Sequence, residues 1–198
     1  MKLRLALELE NQLFMEEKVK ISVLREVGPI FDGEGFIRLG AGTEIDVPRW
    51  LANYLVQRGF AKLSNEIDIF KASKEVSKFK FLENKYKDSP YPVKLPTHFY
   101  KTIRQLVITT LSRVETLNFN ELENVTNVLN KAIRIKNDLE ELTEVRILKM
   151  FKYILSEKEL SVEMLERLTP EEVALCNELS DTLKLWLGKV LPHGGDTE

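Results

Sequence analysis

The segment VPRWLANYLVQRGFAKL, residues 47–63, reads as a helix held between two strands. Pro48 suits the first helical position: its φ is preset, and its missing N–H would find no partner there. Trp50, Leu51, Tyr54 and Leu55 then recur as one apolar stripe on three turns. Gly59 stands where a left-handed C-cap belongs, and Phe60 to Leu63 reads as a short strand leaving it. The Trp is therefore expected to pack on a sheet. Large aromatics favour burial, so Trp50 and Tyr54 read as the core of a small domain and not as chemistry.

Toward the N-terminus, Val19, Ile21 and Val23 alternate with Lys18, Lys20 and Ser22, which predicts a half-buried strand over 18–27. Residues 2–15 fit both periods; the good helix formers favour a short helix from about Glu8 to Glu16. Gly28-Pro29 and Asp32-Gly33-Glu34-Gly35 are turn chemistry, with brief strands at Phe36–Leu39 and Thr43–Val47. These pieces and the clamped helix make a β-rich module, residues 1–64. A module of that size buries only roughly 60% of its unfolded surface, so it should lean on the rest of the chain or on a partner.

From residue 65 the period turns helical, predicting an all-helical domain over 65–198 and an α+β fold class. Ile69, Ala72, Val76, Phe79 and Tyr86 mark one helix. SPYPVKLP, residues 89–96, breaks it with three prolines. Phe99, Ile103, Leu106, Val107, Thr110, Leu111 and Val114 give the cleanest amphipathic helix. Leu122, Val125, Leu129, Ala132 and Ile133 mark the next; Asn137-Asp138 weakens the pattern, and Val145, Leu148, Phe151 and Leu155 resume it, consistent with one bent helix. Thr169, Pro170 and Glu172 form an N-cap with a capping box, and Gly188 is expected to stop the last helix. The tail PHGGDTE has nothing to bury.

The net charge of −2 is unevenly spread. Residues 1–64 are neutral, 65–113 carry a surplus of +5 and 114–198 a net of −7. Such segregation suits docking between partners more than broad nucleic-acid binding. One cysteine, Cys176, excludes an intrachain disulfide and fits a reducing interior. No apolar run is long enough to span a membrane, and MKLRLALELENQ has acids where a secretory leader needs an apolar core.

No catalytic constellation is visible. The two histidines, His98 and His193, stand apart; no cluster resembles a zinc or calcium site, and no cofactor is implied. Gly33, Gly35, Gly40 and Gly42 fit neither a dinucleotide fingerprint nor a Walker loop, and hairpin turns account for them. Glu140-Glu141 and Glu171-Glu172 diverge by about 100° on a helix, so neither is a facing acid–base pair. Lys71, Lys74, Lys78 and Lys80, with Phe79, Phe81 and Tyr86, offer an alternative function, an autonomous nucleic-acid-binding module on the helix over 71–87. The plainer alternative makes the aromatics core and the lysines a solvated face.

Three stretches resemble one known family. VPRWLANYLVQRGFAKL resembles the VPLWLA…L signature in the small domain of GINS subunits. SPYPVKLPTHFYKTIRQLV, residues 89–107, resembles the proline-rich segment and LP..YY helix that open their helical domain. TEVRILKMFKYIL, residues 143–155, is similar to their R..K helix, with Arg146 and Lys149 at the matching positions. The other C-terminal helices match in placement only. The β-rich module comes first, as in the archaeal counterpart of the second and third eukaryotic subunits. The resemblance implies a non-enzymatic, cytoplasmic, replisome-associated replication factor. It implies a 2:2 heterotetramer with a helical-domain-first paralogue, association with the MCM helicase and a RecJ-like protein, contacts with primase, and at most weak or indirect contact with DNA. On this resemblance Phe99, Tyr100, Ile103, Arg104, Val107, Arg146 and Lys149 are expected at a partner interface.

Overall fold

Alternation of apolar and charged residues builds the first sheet as expected, but over a shorter span. In the computed structural model, which describes residues 2–64, 68–114, 122–157 and 159–191, β1 is Lys18–Val23. It is the central strand, antiparallel to β4 (Glu44–Pro48) on one side and to β5 (Ala61–Leu63) on the other. Val19 faces Val47, and Ile21 faces Ile45 and Leu63, so one face of the sheet is apolar. Between β1 and β4, β2 (Val27–Phe31) and β3 (Phe36–Leu39) form a separate hairpin. Gly28-Pro29 lies inside β2 instead of at a turn. The pairing register shifts between Val27 and Ile30, an irregularity that accommodates a residue with no N–H to give.

The clamped helix, α2, is Arg49–Gln57, with Pro48 one position earlier than expected, as its N-cap. Gly59 adopts a φ of 71°, and the Phe60 N–H reaches back to the Leu55 carbonyl at 2.9 Å, closing a Schellman-type end. Leu51, Ala52 and Leu55 are fully buried against Ile21, Val23, Leu39, Val47 and Ala61, and half-buried Trp50 packs on that cluster. Tyr54, expected in the core, is instead half-exposed beside the Arg58 guanidinium. Ahead of the sheet α1 spans Lys2–Glu16, longer than the sequence suggested. Its end is fixed by Arg49, whose guanidinium stacks 4.0 Å from the Phe14 ring centroid and pairs with Glu17 at 3.1 Å.

Among the described residues every element after β5 is a helix: α3 (Ile69–Lys85), α4 (Phe99–Val114), α5 (Leu122–Glu157), the short α6 (Val162–Leu165) and α7 (Pro170–Val190). The two predicted segments around Asn137-Asp138 are one 36-residue helix. The capping box of α7 forms as read, with the Thr169 hydroxyl accepting from the Glu172 N–H and the Glu172 carboxylate accepting from the Thr169 N–H. Gly188 does not stop α7, which runs two residues past it. Tyr86 lies beyond the end of α3 and is half-exposed, not core. The tail from Pro192, with His193, and the expected domain junction over 65–67 lie outside the described residues.

An N-terminal β-rich region thus precedes a helical one, an α+β fold. By contact the chain forms two compact units, one of Glu8–Ala72 with Tyr100–Ala132, the other of Ser73–Phe99 with the residues up to Leu7 and from Ile133 onward. Within the first, α4 reaches the small module. The Gln105 amide donates to the Asn53 side-chain carbonyl, and the Lys101 ammonium donates to the Glu10 carbonyl at 2.8 Å.

Leu51 anchors the sheet–helix contact, so Leu51→Ala should cost about 3 kcal/mol of unfolding free energy. Urea titration followed by circular dichroism measures it; a loss below about 1 kcal/mol would contradict this packing.

Candidate partner-binding surface

The second unit is organised around buried charge. Arg146, on α5, is fully buried, and all five of its N–H groups have an acceptor. Nε and one terminal nitrogen clasp the Glu172 carboxylate at 2.6 and 2.7 Å. The other terminal nitrogen donates to Glu83 at 3.0 Å and to the Val93 carbonyl at 2.5 Å, and the Arg167 carbonyl takes the fifth at 3.2 Å. One turn on, the Lys149 ammonium donates to Glu83 and to the Tyr86 carbonyl, both at 2.6 Å. Glu83 also accepts from the Val93 N–H at 2.9 Å. Two cations and two carboxylates balance, and together they tie α3, α5, the start of α7 and the proline-rich segment.

A second polar clasp lies two turns earlier on α5. Buried Asp138 accepts from Ser77 and Lys80, each at 2.5 Å, and Lys80 also reaches Glu141 at 2.9 Å. Burial pushes the Asp138 carboxyl up, but the hydrogen bonds from Lys80 and Ser77 and the positive charge of Lys80 outweigh it and hold the group below its ordinary value. The hydrogen bonds to Asp138 and Glu141 raise the Lys80 ammonium.

These clasps fix the rotation of α5. Leu142, Arg146, Lys149, Met150, Tyr153 and Ile154 face inward. At 100° per residue, the opposite side then carries Ile147, Leu148, Phe151 and Leu155. Leu148 is 59% exposed and Phe151 38%. Leu148, Phe151 and Leu155 of the apolar period therefore form a bare apolar face, while Val145 is half-buried. The end of α7 is similar, with Leu185, Trp186, Val190 and Leu191 all exposed.

Of the seven residues expected at an interface, Phe99, Ile103, Arg146 and Lys149 are buried within the chain. Arg146 and Lys149 hold the network, and Phe99 packs edge-to-face on Phe79 at 5.3 Å between centroids. They support the fold and present no surface to a partner. Tyr100 and Val107 are half-buried on α4, and Arg104 is exposed. Lys71, Lys74 and Lys78 are exposed on α3, whereas Lys80 is held in the Asp138 clasp. His98 is half-buried in the turn before α4. Cys176 sits among Met150, Tyr153, Ile154 and Met164, where burial pushes its thiol up to about 12, so it stays protonated and inert. Among the described residues, no group of three His, Cys, Asp or Glu could hold a metal ion, and no helix is long and apolar enough to cross a membrane.

The family profile of the GINS complex protein helical bundle domain matches residues 72–191, covering α3 almost entirely and all of α4 to α7. The chain belongs to the GINS family. No curated protein matches it. GINS membership makes it a subunit of a complex acting in DNA replication, structural by family, and associated with other GINS subunits.

Removing the cation at the centre of this GINS bundle should be severe. Arg146→Ala leaves Glu83 and Glu172 buried without their clamp and should lose about 3–5 kcal/mol in chemical denaturation. A loss under about 1 kcal/mol would refute the network's role. The Asp138 clasp gives a pH signature. Because the folded carboxyl is depressed, its stabilisation is present above 3.8 and is lost as pH falls through the lower folded value. Denaturation midpoints of the wild type and Asp138→Asn should differ at pH 7 and converge in acid; a constant difference would contradict the clasp.

Proposed function

We propose that this GINS subunit is a non-catalytic structural piece of a helicase accessory assembly. It pairs with a helical-domain-first paralogue as a 2:2 heterotetramer that joins the MCM helicase and activates unwinding, with a RecJ-like protein and primase as further contacts. Residues 1–64 act as the small domain and 65–198 as the helical domain. The observation that carries this reading is the bare apolar stripe of α5. A lone soluble chain gains nothing by exposing Leu148, Phe151 and Leu155 together, whereas an obligate assembly buries commonly more than 2,000 Å² of such surface. Tyr100, Arg104 and Val107 on α4 supply a second, more polar strip for the same purpose. The uneven charge, +5 over 65–113 and −7 over 114–198, would set register between subunits more than affinity.

Co-expression with the paralogue tests the proposal. Light scattering should give a mass equal to two copies of this 22.9 kDa chain and two of its partner. Leu148→Asp combined with Phe151→Asp should weaken assembly more than tenfold and leave the helical circular dichroism unchanged, since both side chains project outward. A monomer that ignores the paralogue, or an assembly indifferent to the double change, would overturn the reading.

A further inference from the structure

One face of α3 points away from the core. Lys74, Lys78, Phe81 and Lys85 fall within about 60° of one another around the helix and span about 16 Å of its length. All four are exposed, Phe81 by 66%. No acidic residue of α3 falls inside that arc, and none of the three ammonium groups has a carboxylate partner among the described residues. Lys78 and Lys85 instead lie 5.9 and 5.5 Å from the ring centroids of Phe79 and Tyr86. Lys80 differs from its neighbours because Asp138 and Glu141 neutralise it.

An exposed Phe flanked by unneutralised cations is poor chemistry for a solvated face. It is good chemistry for a strand of unpaired bases, whose phosphates attract the lysines and whose faces stack on an aromatic ring. A duplex hides its base faces, and an acidic polypeptide would use the charge but not the ring. We propose that this face of α3 binds single-stranded nucleic acid, with Lys74, Lys78 and Lys85 on the phosphates and Phe81 stacked on a base. This site stands apart from the apolar stripe of α5, and variants here should leave the mass of the co-expressed assembly unchanged.

Fluorescence anisotropy with a labelled 30-residue oligothymidylate and the full chain tests this. Affinity should fall with salt, and Lys74→Glu, Lys78→Glu and Lys85→Glu together should remove most of it and make the log–log salt slope shallower by about 2. Phe81→Ala should weaken binding several-fold with the slope unchanged, while Phe81→Trp retains it. All four side chains are exposed, so circular dichroism should not change; if the triple variant fails to fold, Lys78→Gln and Phe81→Ala carry the test. No binding by the wild type, or full binding by the triple variant or by Phe81→Ala, would overturn the proposal. So would a polyglutamate of equal length competing as well as the oligonucleotide, which would assign the face to an acidic protein.

Discussion

A guanidinium cannot be buried unless each of its N–H groups finds an acceptor, and Arg146 meets that condition through two carboxylates and two carbonyls. The acceptors come from four separate stretches of chain: Glu83 on α3, Val93 in the proline-rich segment, Arg167 before α7 and Glu172 in its first turn. None can shift without stranding charge, so the network specifies one arrangement of the second unit. Burial of an ion pair is a poor source of net stability, since desolvation offsets most of the attraction. Its effect is on uniqueness: an alternative rotation of α5 would leave Arg146 or Lys149 unpaired in an apolar setting.

That rotation has a functional consequence. With Arg146 and Lys149 turned inward, α5 has no choice about what it turns outward, and Ile147, Leu148, Phe151 and Leu155 become surface. The internal chemistry of the subunit thus prepares the surface it offers to others. The first unit follows a different logic. There, apolar burial between α2 and the β4-β1-β5 sheet supplies the stability, and Arg49 is a local fastener between α1 and α2.

Much of this was legible in the sequence, and the limits have physical causes. Alternation at Val19, Ile21 and Val23, the cap glycine at Gly59 and the Thr169 capping box are local signals, and each produced the element it promised. The 47–63, 89–107 and 143–155 segments carried the family resemblance. The inward face of α5 was not legible, because periodicity counts apolar residues and the core there is partly ionic. Val145, Leu148, Phe151 and Leu155 recur at helical spacing, yet the true inward set includes Arg146 and Lys149, which hydropathy assigns to solvent. Glu172 was explained completely by helix capping, so nothing in the sequence called for a second role with Arg146. Asp138 weakened the pattern for the same reason: it is a buried clasp, not a break. On α3 the apolar period placed Ala72 and Val76 inward correctly, but it also enrolled Tyr86, which is half-exposed, and it missed Glu83, which is fully buried.

Phe151 and Tyr153 stand two positions apart on α5, one outward and one 6% exposed. Hydroxyl-radical footprinting of the dilute, unassembled chain distinguishes them directly. Oxidation should fall on Phe151 and spare Tyr153, and Phe151 should become protected once the subunit is assembled with its paralogue. Oxidation of Tyr153 with Phe151 spared in the lone chain would contradict the rotation that buried charge imposes on α5.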